Sequence, residues 1–235
     1  MITIVTANKN GGIYIDQLIE SLNRQSSRNF NWLIVDSNST DNSISKIEKN
    51  VNFPFKIISQ QDFSIYHALN IAIDNIETDY YCVSGCDDYF EFDFVEKFEK
   101  IILKEHYDLI FGCVISNDVV ISPKVRFPFL SPVNASHSIG TIIKTSLHKN
   151  FGYYSKMYPI LADKLFVIDV LKKSNNVMYT TEIFGTYSQT GFSSLNSIDY
   201  LCDLFKLQVK NQNNIFIQSA LFIIRIIKLS LRSDK

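Results

Sequence analysis

The first hundred residues alternate short apolar runs with helical patterns, and this order constrains the fold more than any other feature. Apolar runs rich in β-branched residues predict strands at residues 2–7, 30–35, 55–59 and 80–83. Apolar residues at helical spacing predict intervening helices at residues 14–25, in the segment that ends near 50, and at 65–76. Buried strands joined by helical crossovers indicate an α/β fold with a mostly parallel sheet and helices on both faces.

In a parallel sheet of this kind, ligands bind beyond the carboxyl ends of the strands. The segments that follow the predicted strands are polar: 7–12, 36–41 and 85–88. We therefore expect the functional site to be built from these segments.

The second half of the chain is less regular. Strand-like runs lie at 107–114, 140–144 and 177–187, and helical patterns at 161–173 and 199–231. Three prolines within 117–136 predict a long excursion, and 188–197 is a polar loop. The chain contains no repeat or linker, so we predict one domain over residues 1–200 and a helical extension over 201–235.

Composition excludes several classes of protein. With 46% hydrophobic and 20% charged residues, the chain of 235 residues has enough apolar surface to fold. Its net charge of -1 disfavours a general nucleic-acid binder, which needs a basic surface. The four cysteines have no Cys-x-x-Cys spacing, so neither a zinc site nor a disulfide framework is expected. The start of the chain reads as a strand, not a signal peptide, and we expect a cytoplasmic protein.

Adjacent carboxylates at Asp87 and Asp88 directly follow a buried strand. Two neighbouring negative charges are costly to bury unless a cation compensates them, and hard divalent cations prefer carboxylate oxygens. Metal binding and simple capping of the next helix both remain open for this pair. Asp36 also follows a strand, where it either closes a local turn or contacts a nucleotide.

The C-terminal helical pattern is amphipathic and basic. Apolar residues of 215–224 are interleaved with Arg225, Lys228 and Arg232. Such a helix suits the surface of an anionic membrane, here the inner face of the cell membrane. It equally suits packing on the domain or on a second copy in a homodimer.

Four segments resemble family 2 glycosyltransferases of the GT-A type. Residues 2–8 resemble the first strand of that family, and 32–43 its second strand and nucleotide-binding turn. Residues 62–73 are similar to a segment of a bacterial branch, and 85–88 fall at the acidic metal motif. The resemblance implies a GT-A (Rossmann-like) sheet.

The resemblance also implies a role for each matching position. Asp87 would ligate Mn²⁺ or Mg²⁺. The donor nucleotide sugar would lie against Thr6, Ala7, Asn8, Asp36, Asp62, Asn70 and Asp88. Two positions depart from the family pattern: Gly85 stands where the first acid of the metal motif is expected, and Ser37 where uridine-binding members often carry a second acid.

A later stretch of the chain resembles the family again. Residues 160–166 match a segment in which an aspartate at the start of a helix is the catalytic base, and that position is Asp163. Without the resemblance, Asp163 is also explained as an aspartate at the start of a helix, where the helix dipole stabilises it. His137 is a candidate contact for the acceptor or the diphosphate, and 185–194 resemble a late active-site loop.

The implied function is transfer of a sugar from a nucleotide-diphosphate sugar to a hydroxyl of a glycan or lipid-linked acceptor, with inversion, in bacterial surface polysaccharide synthesis such as lipopolysaccharide. Two alternatives stay open. A sugar-phosphate nucleotidyltransferase has a similar sheet, although residues 8–12 are only a faint version of its phosphate loop. An inactive nucleotide-sugar-binding module is suggested by Gly85.

Overall fold

The computed structural model describes residues 1–61, 64–123, 137–188, 197–211 and 214–233. Its first half follows the predicted alternation closely. The elements are β1 (Ile2–Asn8), α1 (Ile15–Asn23), β2 (Phe30–Asp36), α2 (Ser43–Asn50), β3 (Phe55–Ser59), α3 (Ile65–Asp74) and β4 (Tyr80–Ser84).

The second half adds five strands and five α-helices among the described residues. In chain order these are β5 (Tyr89–Phe90), α4 (Phe94–Ile102), β6 (Leu109–Ser116), β7 (Val119–Ile121), a 3₁₀ turn (Ser138–Gly140), β8 (Thr141–Lys144), α5 (Leu147–Phe151), α6 (Ala162–Leu171), β9 (Val177–Thr186), α7 (Ser197–Lys210) and α8 (Ile215–Ser233). Strand β7 lies inside the predicted excursion over 117–136, of which residues 124–136 are outside the described part of the chain.

The described strands form one mixed sheet in the order β3-β2-β1-β4-β8-β6-β9-β5, with β7 paired to β6. Strands β3, β2, β1 and β4 are parallel, as expected from their helical crossovers. Beyond β4 the pairs β4–β8, β8–β6 and β9–β5 are antiparallel, whereas β6–β9 is parallel. The predicted α/β fold is confirmed, with three of the four parallel strand pairs in the first half of the chain.

Helices cover both faces of the sheet, as predicted. On one face Val5 and Leu33 pack with side chains of α3, α6 and α7. On the other face Ile4 and Trp32 pack with side chains of α1 and α4. Because successive strand residues point to opposite faces, strands buried on both sides need apolar residues at consecutive positions, and β1 and β2 have them.

The C-terminal region forms two helices where the sequence predicts one. Residue Asn214 ends the break, and its Oδ1 accepts hydrogen bonds from the backbone N–H groups of Phe216 and Ile217. This is an N-cap, which starts a new helix without any glycine or proline. The predicted domain boundary at residue 200 falls inside α7, and Leu204 and Leu207 of this helix are buried in the core.

Candidate active site

Strands β1, β2 and β4 end side by side at one edge of the sheet. In the strand register Asn8 pairs with Asp36 and Thr6 with Ser84. The turn that carries Asp87 and Asp88 begins immediately after Ser84. The parallel topology therefore brings the polar segments predicted from the sequence to a common edge.

Asp36 organises the loop that follows β2. Its buried carboxylate accepts hydrogen bonds from Asn8 Nδ2 at 2.7 Å, Ser39 Oγ at 2.6 Å and the Ser39 backbone N–H at 2.9 Å. Asn8 Nδ2 also donates to Ser43 Oγ at 3.0 Å. In these contacts Asp36 closes a local turn, which is one of the two roles expected from the sequence. The nucleotide contact predicted for Asp36 and Asn8 stays a prediction.

Thr6 ties three strands together inside the sheet. Its hydroxyl lies 2.8 Å from Ser84 Oγ and accepts a hydrogen bond from Trp32 Nε1 at 2.9 Å. The side chain is fully buried. Any contact of Thr6 with a nucleotide would therefore come from its backbone, and the contact predicted for the partly exposed Ala7 stays a prediction.

Residues 85–88 form a tight acidic turn. The buried Asp88 carboxylate accepts a hydrogen bond from the Gly85 backbone N–H at 2.7 Å, and burial raises the pKa of Asp88 to about 8. A Cβ on Gly85 would lie 2.7 Å from Asp87 Oδ1, so Gly85 lets the Asp87 carboxylate fold back over the turn. The capping alternative for Asp87 and Asp88 is wrong, because α4 begins later and its N-cap is Asp93.

Four carboxylates surround one thiol at this edge. Burial, followed by the negative charges of Asp87, Asp88, Asp36 and Asp41, raises the pKa of Cys86 to about 12. Ion pairs between described residues leave Asp87 and Asp88 without a lysine or arginine partner. Within the described ranges, no three His, Cys, Asp or Glu side chains form a preformed metal cluster.

Asp163 lies in the first turn of α6 and is partly buried. The Tyr66 hydroxyl donates to Asp163 Oδ1 at 2.7 Å and lies equally close to the carbonyl oxygen of Ile160. Burial, followed by the Asp163 charge, raises the pKa of Tyr66 well above its usual value, so Tyr66 remains a hydrogen-bond donor. Tyr66 comes from the first turn of α3, which starts at the same carboxyl edge of the sheet.

Asn70 fixes the chain that leads into α6. Its side-chain amide donates to the carbonyl of Tyr154 and accepts from the Tyr154 backbone N–H, both at 2.9 Å. The role that the resemblance implies, facing the donor, stays a prediction. Through these two hydrogen bonds, Asn70 joins α3 to the segment that precedes Asp163.

His137 stacks on Tyr187. The rings are 4.0 Å apart and inclined by 4°. Burial and then the nearby Lys164 charge lower the pKa of His137 to about 4, so His137 is neutral at physiological pH. A Cβ on Gly185 would lie 2.6 Å from Ile139 Cδ1, so glycine lets the 3₁₀ turn after His137 pack on β9.

Sequence reasoning missed two side chains beside Asp163. Lys164 follows Asp163 and lies near His137. Asp203, fully buried on α7, accepts hydrogen bonds from the backbone N–H groups of Ile160 and Leu161 at 2.8 and 3.2 Å. No local pattern distinguishes Asp203 from an exposed helix aspartate. Asp62 and residues 189–194 of the predicted late loop lie outside the described residues.

The sheet order, the helices on both faces and the acidic edge define an α/β protein of the GT-A class. The sequence model of Glycosyl transferase family 2 matches residues 2–174. The chain therefore belongs to family 2 of the glycosyltransferases, and the resemblance stated from the sequence is confirmed.

A relative in Staphylococcus epidermidis, a teichoic acid poly(glycerol phosphate) polymerase, is 33% identical over 94 residues. The match covers 37% of this chain and 13% of that polymerase, so the chain spans only a small part of this relative's length.

Solved structures share the fold over almost the whole chain. S. aureus TarS 1-349 has a TM-score of 0.67 and 18% identity over 97% of this chain and 72% of its own. A mannosyltransferase from Pyrobaculum calidifontis, in complex with GDP-Man and Mn²⁺, has a TM-score of 0.73 and 12% identity over 99% of this chain and 75% of its own. At these identities the likeness concerns the fold.

Proposed function

We propose that this chain transfers a sugar from a nucleotide-diphosphate sugar to an acceptor hydroxyl in a single inverting displacement. The proposal rests on the positions of two carboxylates, Asp87 and Asp163. Asp87 belongs to an acidic turn at the ends of the parallel strands, and Asp163 is oriented by Tyr66 from the same edge. A glycosyltransferase needs both a site for the leaving diphosphate and a base for the acceptor.

The donor side suits a divalent cation. Asp88 is buried and Asp87 is partly exposed, and neither has a basic partner among the described ion pairs. Mg²⁺ is usually held by one or two carboxylates together with substrate phosphates, so one aspartate with the donor diphosphate is a sufficient ligand set. Asp87 would hold Mn²⁺ or Mg²⁺ and Asp88 would support the turn. When bound, the cation would stabilise negative charge on the leaving diphosphate.

The acceptor side uses Asp163. The Tyr66 hydrogen bond to Oδ1 fixes the carboxylate, so that its other oxygen can receive the proton of the acceptor hydroxyl. As the acceptor oxygen bonds to the anomeric carbon, the bond between that carbon and the diphosphate oxygen breaks, and its electron pair leaves with the diphosphate. A single displacement of this kind inverts the anomeric configuration.

The similarity to a teichoic acid polymerase supports bacterial surface polymer assembly as the setting. Solved relatives with the same fold include TarS in complex with UDP-GlcNAc and a mannosyltransferase in complex with GDP-Man. We therefore propose a nucleotide-sugar donor and a glycan or lipid-linked acceptor. Because Ser37 replaces the second acid that uridine-binding members often carry after Asp36, the proposal names no particular base for the nucleotide.

A thermal-shift screen of UDP-, GDP- and dTDP-linked sugars, with and without Mn²⁺, tests the proposed donor. One donor at about a hundredfold excess over its Kd should stabilise the chain by about 2.7 kcal/mol, a rise in Tm of roughly 5–10 °C. The rise in Tm should require Mn²⁺. Asp87→Ala should lose most of the donor affinity, and Mn²⁺ should no longer affect the donor binding that remains. Asp93→Ala, which removes an aspartate outside the acidic turn, is the matched control.

Two results would contradict the proposal. One is a set of identical Tm values with every sugar nucleotide. The other is release of pyrophosphate from a sugar phosphate and a nucleoside triphosphate, which would identify the nucleotidyltransferase instead.

A further inference from the structure

The last helix, α8, packs one of its faces against α7. The Phe222 ring lies 5.3 Å from the Phe205 ring, and Arg225 Nη1 donates to Gln208 Oε1 at 3.0 Å. Gln218, on the same side of α8, is fully buried. These contacts fix which face of α8 is turned away from the domain.

The opposite side of α8 exposes a continuous apolar stripe. We define the outer face of α8 as Phe216, Ile223, Ile224, Ile227 and Leu231, all of which are exposed. Steps of three, four and seven residues place these side chains along one side of a helix. Single exposed apolar residues are ordinary, but a continuous stripe over four turns marks a surface that something covers.

The charges on α8 identify its partner. Residues 215–233 contain three basic residues and no acidic one. Lys228 is exposed beside the outer face. Arg225 is turned toward Gln208 of α7, so the charge shown beside the outer face is that of Lys228. An apolar stripe with a positive charge at its edge matches an anionic lipid surface, in which acyl chains receive the stripe and headgroups receive the lysine.

A second copy of this chain fits the outer face less well. In a twofold contact through this face, Lys228 would find no acidic partner on either copy of α8. None of the helices that the structure describes has both the length and the apolarity needed to cross a bilayer.

We propose that the outer face of α8 binds the interface of an anionic membrane, with its apolar side chains at the acyl boundary and Lys228 at the headgroups. The helix would attach the domain through α7, whose Leu204 and Leu207 are part of the core. This inference does not rest on the proposed function, because vesicle binding requires neither donor nor acceptor.

Co-sedimentation of the full chain with phosphatidylcholine vesicles, with and without about one third phosphatidylglycerol, tests the proposal. Binding should require phosphatidylglycerol and weaken as salt is raised. Ile223→Ser combined with Ile227→Ser should lower the partition coefficient at least about tenfold. Lys228→Ala should lower it about fivefold, and only on the anionic vesicles.

Leu103→Ser is the matched control. Leu103 is 85% exposed at the end of α4, close to the 83% of Phe216, but it lies outside the outer face. This variant should bind vesicles like the unmodified chain, and all variants should keep its Tm because the substituted side chains are exposed.

Two results would overturn the proposal. The first is vesicle binding that is absent or that the double variant leaves unchanged. The second is a dimer mass by light scattering that the double variant converts to a monomer mass, without binding to anionic vesicles. The second result would assign the outer face to another copy of the chain.

Discussion

At the residue scale, the carboxylate of Asp163 is oriented by a side chain 97 positions away in sequence, Tyr66. The Tyr66 ring packs 5.6 Å from the Tyr154 ring, and the Tyr154 hydroxyl lies 2.7 Å from that of Tyr81. Tyr81 in turn lies 2.7 Å from His148 Nε2. His148 Nδ1 faces the Gly152 carbonyl, so it carries the proton and Nε2 accepts from Tyr81. These buried hydrogen bonds and ring contacts hold Tyr66 in place, and Tyr66 in turn holds the Asp163 carboxylate.

Tyr66→Phe should lower kcat about tenfold, because a lost hydrogen bond of about 1–1.5 kcal/mol leaves Asp163 less well oriented in the transition state. The KM for the donor should change less than about twofold, because Tyr66 contacts the base and not the diphosphate site. Steady-state kinetics with a sugar nucleotide and its acceptor measure both quantities.

Tyr80→Phe is the control for this prediction. The Tyr80 hydroxyl also donates a hydrogen bond, to the Tyr107 carbonyl at 2.9 Å, but it lies away from Asp163. Both variants should lose similar stability, and only Tyr66→Phe should lose turnover. Equal kcat values in the two variants would show that Tyr66 is merely structural.

The neutral His137 makes stability depend on pH. Its folded pKa of about 4 lies below the usual value of 6.5, so between these values the unfolded chain binds a proton that the folded chain does not. The contribution of His137 to the free energy of unfolding should therefore fall as pH is lowered through this window, by up to about 3 kcal/mol. The stacked Tyr187 ring and the Lys164 charge offer the imidazolium no compensating anion.

Urea unfolding between about pH 7 and about pH 5 measures this dependence. Relative to His137→Gln, the unmodified chain should lose stability toward pH 5. Asp88, whose raised pKa acts in the opposite direction, and His148, whose pKa is lowered by burial, titrate in both proteins and cancel in this comparison. Curves of unfolding free energy that run parallel in the two proteins would contradict this account of His137.

At the element scale, α7 contributes to the candidate active site as well as to the core. Asp203 is its fully buried acid, and it holds the two backbone N–H groups that precede α6. Its Oδ1 lies 3.2 Å from Lys206 Nζ, which is partly exposed. The start of α6, and with it Asp163, therefore depends on a helix that lies beyond residues 2–174, the segment matched by the family.

Asp203→Ala should lower the free energy of unfolding by about 2–3 kcal/mol, because it leaves buried N–H groups without an acceptor. It should also lower kcat, since the segment before Asp163 loses its anchor. Asp203→Asn keeps one carbonyl acceptor and should lose less of both. Chemical denaturation and kinetics of the two variants check this, and a loss under about 0.5 kcal/mol for Asp203→Ala would exclude an anchoring role.

The break between α7 and α8 illustrates how helix ends are read from sequence. An absence of glycine and proline predicts a continuous helix over 199–231. Asn214, however, caps a new helix with its own side chain, which asparagine does as readily as serine. The run 211–214, Asn-Gln-Asn-Asn, was the available signal.

At the scale of the whole molecule, the features that could be predicted are those that local sequence patterns determine. Strands β1 to β4 follow from periodicity and crossover length, and Asp36 and Asp87 follow from their positions at strand ends. The order β8-β6-β9-β5 has no such signal, since it depends on pairings between distant segments. Tyr66 and Asp203 reach the start of α6 for the same long-range reason.

The central claim is that Asp163 deprotonates the acceptor while the carboxyl edge around Asp87 binds the donor. Asp163→Asn separates the two roles, because it keeps the size of the side chain and removes the base. We expect this variant to bind the sugar nucleotide and Mn²⁺ with unchanged affinity by calorimetry. Its kcat for sugar transfer should fall at least about a hundredfold. Turnover near that of the unmodified chain, or a parallel loss of donor affinity, would contradict the account.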